Sequence, residues 1–72
     1  MTAATIAAEV SCTWLATGKE WEIEAFDRSG DLLNSVTIQR SKNTSKRKLV
    51  TDALSSLGVV AAWNMRYSWC AQ

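Results

Sequence analysis

The chain has 72 residues, eight Lys and Arg against seven Asp and Glu, a formal charge of +1, two cysteines and no histidine. That length fits one domain, which buries only about 60% of its extended-chain surface on folding, so its stability is marginal. The composition excludes His general bases, His-activated nucleophiles and His metal ligands, and Cys12 and Cys70 are too few and too far apart for a CxxC or four-cysteine zinc site.

The remaining exclusions are local. Gly18, Gly30 and Gly58 are isolated, so no glycine-rich phosphate loop occurs. The longest apolar run, 59–63, is far short of the ~20 residues that span a bilayer. No basic stretch followed by an apolar one opens the chain, and a cytoplasmic setting is expected, with no membrane, metal or cofactor.

From residue 6 to 16 the even positions are Ile6, Ala8, Val10, Cys12, Trp14 and Ala16, and the odd ones include Glu9, Ser11 and Thr13. This period of two predicts a half-buried strand. The alanine-rich residues 1–16 also fit a helix with Ile6, Val10 and Trp14 on one stripe, but β-branched Thr2, Thr5, Ile6, Val10 and Thr13 favour the strand. A second strand places Trp21, Ile23 and Ala25 on one face and Glu20, Glu22 and Glu24 on the other. A third, from Leu32 to Arg40, turns Val36 and Ile38 inward and Ser35, Thr37 and Gln39 outward.

Two-residue turns at Thr17-Gly18 and Ser29-Gly30 fix the registers. The first pairs Trp14 with Trp21, Cys12 with Ile23 and Val10 with Ala25. The second pairs Trp21 with Ile38, Ile23 with Val36 and Arg28 with Asp31. A slip of one residue would turn every apolar side chain to the wrong face.

Thr44 or Ser45 then opens a helix that reaches Leu57, with Gly58 at its C-cap and Leu49, Val50, Ala53, Leu54 and Leu57 as the core stripe. Beyond it, Val59, Ala61, Trp63, Met65, Tyr67 and Trp69 alternate with more polar residues, a fourth strand with one aromatic face. The predicted fold is a single α+β domain, 1–72, in two layers: a three-stranded antiparallel meander, one helix on one face, and a C-terminal strand (β-β-β-α-β). Which sheet edge takes that strand is open. Cys12 and Cys70 fall on opposite faces, so no disulfide joins them.

Charge is segregated along the chain. Residues 1–39 hold Lys19 and Arg28 against Glu9, Glu20, Glu22, Glu24, Asp27 and Asp31, a net −4; residues 40–72 hold Arg40, Lys42, Lys46, Arg47, Lys48 and Arg66 against Asp52, a net +5. The first candidate site is the acidic sheet face of Glu9, Glu20, Glu22 and Glu24. Its carboxylates along one strand repeat every ~6.8 Å, roughly the phosphate repeat of an extended nucleic acid strand.

The second candidate is a basic-aromatic pole of Arg40, Lys42, Lys46, Arg47, Lys48, Tyr67 and Trp69. Cations in the first turn of a helix oppose its dipole by ~0.3–1 kcal/mol each, so three in succession invite a functional reason. A strand over 59–70 is longer than the helix, which predicts that Tyr67 and Trp69 overhang it. Exposed aromatics beside cations have the composition of a binding hot spot.

Ser41-Lys42, Lys46, Leu49-Val50, Ala53-Leu54 and Leu57 resemble the last helix of double-stranded RNA-binding domains, following a three-stranded meander. The resemblance covers about 17 residues. The chain departs from that family in its opening strand, in Asn43 where a basic residue is expected, and in its extra last strand, and no functional residue is carried over. In general character the chain also looks like small phage-encoded inhibitors, anti-CRISPR proteins among them, which share the compact domain, polarised charge and exposed aromatics.

The expected function is a non-catalytic protein-binding inhibitor or adaptor that occludes a nucleic-acid-handling protein complex. One alternative is a direct DNA- or RNA-binding module using the basic 40–48 segment at a helix N-terminus; another is a structural homo-oligomer, such as a homodimer, through the 59–70 strand. Ser45 beside Lys46 is the only nucleophile pair, and it lies in an exposed turn, so no enzyme is expected.

Overall fold

A computed structural model describes residues 5–71. The order is β1 (Ile6–Leu15), β2 (Glu20–Phe26), β3 (Leu32–Ile38), α1 (Lys46–Leu57) and β4 (Val60–Ala71), the predicted β-β-β-α-β arrangement. The four strands form one mixed sheet in the order β3-β2-β1-β4. The last strand therefore lies beside the first, and parallel to it. The helical alternative for 1–16 fails over Ile6–Leu15, and Thr2 lies outside the described residues.

The meander registers follow from the alternation. Val10↔Ala25, Cys12↔Ile23 and Trp14↔Trp21 pair across β1 and β2, and Trp21↔Ile38 and Ile23↔Val36 across β2 and β3. These residues face α1, whose Leu49, Val50, Ala53 and Leu57 close the core over them. Trp21 also donates its indole N–H to the Ser41 carbonyl at 3.2 Å, which fixes the approach to the helix.

Both turns differ from the two-residue hairpins expected. At the first, Lys19 N–H donates to Ala16 O, but the left-handed residue is Lys19 (φ 50), not Gly18. At the second, Asp27 pairs with Asp31 around a three-residue loop with Gly30 at φ 87, and the Asp27 carboxylate accepts from the N–H groups of Ser29 and Asp31. Left-handed glycine closing a three-residue loop is a favoured hairpin solution. It leaves Arg28 in the loop, so the predicted Arg28–Asp31 pair does not form; the register shifts between Ala25 and Phe26.

Ser45 caps α1, its hydroxyl accepting from Lys48 N–H, and Gly58 ends it at φ 72 with its N–H on the Leu54 and Ser55 carbonyls. Predicted Leu54 is part-buried against the core rather than within it.

The largest corrections are in β1 and β4. The even positions of β1 face inward only from Val10 to Trp14: Ala7 is fully buried, Ile6 is 55% exposed and Ala16 is exposed. Opposite, Ala7 pairs with Ala61 but Glu9 pairs with Arg66, so residues 62–65 of β4 face the single Ala8. Three surplus residues leave the ladder as a wide bulge. Trp63 is thrown out to 95% exposure instead of joining the core face, while Met65 is buried.

Two outcomes follow. The Gly58 Cβ position meets nothing within 4 Å, so Gly58→Ala has only a backbone cost and should destabilise by about 1 kcal/mol in urea unfolding. Burial pushes the Cys12 thiol up to about 11, so the folded chain keeps a proton that the unfolded chain loses near pH ~8.5. The thiol's contribution is whole below that pH and is lost as pH rises through about 11. Between those limits the wild type should lose on the order of 2 kcal/mol more than Cys12→Val in parallel denaturation series.

Candidate functional site

The bulge decides where the aromatic residues of β4 stand. Because twelve residues of β4 run alongside Ile6–Trp14 of β1, the strand is shorter in space than its sequence suggests. Tyr67 and Trp69 therefore do not overhang the helix. They stand beside its first turn, opposite Val10 and Cys12. Alternation still places both on the helix side of the sheet.

Helix α1 packs chiefly over β3 and touches β2 and β4 to an equal, smaller extent. Its C-terminal end is held toward β3 by the Asn34 side-chain amide, which donates to the Leu57 carbonyl at 3.4 Å. A groove of about 530 Å³ is left between α1 and β4. Lys46, Arg47, Val50 and Leu54 form the helix wall, and Tyr67 and Trp69 the strand wall. Ring contacts cross the sheet into it: Trp14–Trp21 at 5.4 Å, Trp21–Trp69 edge-on at 6.0 Å, and Trp69–Tyr67 near-parallel at 6.4 Å. The Lys46 ammonium lies 4.9 Å from the centroid of Trp69.

The structure thus brings Lys46, Arg47, Tyr67 and Trp69 together and disperses the rest of the expected pole. Arg40 is tied to Asp52 at 3.2 Å. Arg40 and Lys42 together line a separate, shallow concavity with Trp14, Lys19 and Gln39 at the end of the sheet. Lys48 is exposed and lines no part of the groove. The first-turn cations are also less anomalous than the sequence implies. A cation over an indole contributes ~0.5–1 kcal/mol at an exposed site, enough to offset the dipole penalty on Lys46.

The acidic face lies on the other side. Glu20, Glu22 and Glu24 all project from the side without the helix. Their β1 neighbours are Leu15, Thr13 and Ser11, and Glu22 and Glu24 meet Thr37 and Ser35 of β3. Among the described residues the ion pairs are Arg40–Asp52 and Arg66–Glu9, so none of the three β2 carboxylates has a counter-charge. Glu9 shares this face but is engaged by Arg66 at 3.2 Å.

The sequence reading gave Val50 and Leu54 to the core stripe alone and missed both their place in the groove wall and the ejected Trp63. The available signal was length: twelve strand residues against a partner that offers fewer. Cys70 is exposed on the acidic side and Cys12 buried on the other, both as free thiols. Among the described residues no helix is long and apolar enough to cross a membrane. No family model matches the chain, and no curated protein or solved structure matches it.

Trp63 and Trp69 should separate in solution. Trp63→Ser removes the most red-shifted, most quencher-accessible part of the emission and leaves stability within about 0.5 kcal/mol. Trp69→Ser, which breaks the contacts to Trp21 and Lys46, should cost about 2–3 kcal/mol.

Proposed function

We propose that the chain is a non-catalytic inhibitor or adaptor that occludes a nucleic-acid-handling protein complex by presenting carboxylates where that complex expects phosphates. The observation that supports it is the row Glu20, Glu22, Glu24 on the side of the sheet that α1 leaves bare, with hydroxyl side chains flanking Glu22 and Glu24 and no counter-charge among the described residues. Neighbouring carboxylates ~6.8 Å apart repel by about 0.6 kcal/mol per pair in a water-like dielectric, before screening. Packing against α1 does not require them, since they face away from it. A basic channel built to track a phosphate backbone gains from the same spacing.

Direct nucleic-acid binding is the weaker reading. Phosphate neutralisation works through several cations on one track, and here the cations are split: Arg40, paired with Asp52, lines one concavity with Lys42, while Lys46 and Arg47 line another and Lys46 covers a ring that a base would otherwise stack upon.

The test is displacement. Nucleic-acid-binding proteins from a lysate are loaded on immobilised DNA and RNA, and the purified chain is applied at micromolar concentration. The expected result is release of a defined protein by wild type, and at least tenfold less release by the triple variant Glu20→Lys, Glu22→Lys, Glu24→Lys. Equal release by both proteins, no release, or a mobility shift of free DNA or RNA by the chain alone at low salt would overturn the reading.

A further inference from the structure

The second surface is the outer edge of β4 with the groove beside it, and it uses none of Glu20, Glu22 and Glu24. Among the described residues β4 pairs with β1 alone, so its outer edge is open. From Arg66 to Ala71 the strand is regular, in step with Glu9–Trp14 of β1. Every second residue of that stretch turns an N–H and a C=O to the outside, a template for another strand. Among the described residues no side chain hydrogen-bonds to the backbone of these six.

The opposite edge is guarded. On β3 the Asn34 side-chain oxygen accepts from the N–H of Ser35 at 2.9 Å, and the register is broken between Ala25 and Phe26. Arg66–Ala71 is therefore the edge stretch with neither a register break nor, among the described residues, a side-chain competitor for its backbone groups.

Charge specifies what can be added. On the helix side, Lys46 and Arg47 overhang the groove beside Tyr67 and Trp69, and neither makes an ion pair among the described residues. On the bare side the same edge carries Arg66, whose side chain is largely exposed even while it holds Glu9. An entering strand thus meets cations on both faces. Tyr67, at 53% exposure, offers a flat apolar surface to the side chains that point toward the helix.

We propose that the Arg66–Ala71 edge of β4, with the groove under Lys46 and Arg47, is a docking site for an extended acidic segment of a protein partner, which adds to the sheet as a fifth strand. Main-chain hydrogen bonds supply the pairing and the alternate side chains the selectivity, the usual division in strand addition. About six residues, or ~20 Å, fill the edge. A second copy of the chain is a poorer occupant: two-fold antiparallel pairing over these residues would bring Lys46 and Arg47 of both chains to one junction, cation against cation. A single nucleic acid strand is poorer too, because Lys46 already occupies one face of Trp69.

The probe is a fluorescent, end-blocked hexapeptide of Glu and Val ordered so that each face of the extended strand carries both residue types, followed by anisotropy at low salt with the full chain. Saturable binding is expected. It should weaken at least tenfold when Lys replaces Glu in the peptide, and at least tenfold in the double variant Lys46→Glu, Arg47→Glu, whose folding is checked by circular dichroism. Two peptides N-methylated on alternate amides separate strand addition from loose groove binding without any change to the protein. One set blocks the hydrogen bonds to β4 and should abolish binding; the other should bind within about twofold of the parent. No binding at millimolar peptide, indifference to charge or to both methylated sets, tighter binding of oligothymidylate, or a dimer by sedimentation that the peptide fails to dissociate would overturn the proposal. None of these readouts involves Glu20, Glu22 or Glu24, so the acidic face can fail its own test independently.

Discussion

β1 is hydrogen-bonded along both edges, antiparallel to β2 and parallel to β4, and this double commitment sets everything around it. Val10, Cys12 and Trp14 must face α1, because a one-residue slip would turn Ser11 and Thr13 into the core and expose three apolar side chains. With β1 locked, β4 cannot place all twelve of its residues opposite a segment that ends at Trp14. The surplus leaves the ladder at 62–65. An indole is exposed as a result, and the second half of β4 is drawn back beside the first turn of α1.

That displacement makes the groove. Without the bulge, Tyr67 and Trp69 would project past the helix as two isolated rings. With it they face Lys46 and Arg47 across a cleft, and Trp69 joins a chain of ring contacts through Trp21 to Trp14. The cations that the helix dipole disfavours are held by what surrounds them: Lys46 by an indole face and, in the preceding loop, Arg40 by Asp52. A surface ion pair of this kind contributes at most ~1 kcal/mol, so it orients the loop more than it stabilises the fold.

The sheet also separates charge. Alternation sends Glu20, Glu22 and Glu24 to the side without the helix, while the loop and first turn after β3 carry cations on the helix side. The two sets cannot neutralise one another across a layer of packed apolar side chains. The near-zero total therefore coexists with two surfaces of opposite sign.

Residue order alone determined the four strands and the helix, the meander registers up to the second turn, a helix start at Thr44 or Ser45, the Gly58 cap and the face that Glu9, Glu20, Glu22 and Glu24 occupy. These are consequences of side-chain period and of local turn and cap chemistry, which act over a few neighbouring residues. Tertiary structure decided that β4 lies beside β1, that 62–65 bulge, and that four of the seven residues of the expected basic-aromatic pole meet while Arg40, Lys42 and Lys48 do not. The physical reason is that strand period survives a change of partner, edge or length. Only pairing with a particular neighbour, 50 or more residues away in the chain, reveals that one strand has more residues than the other can accept.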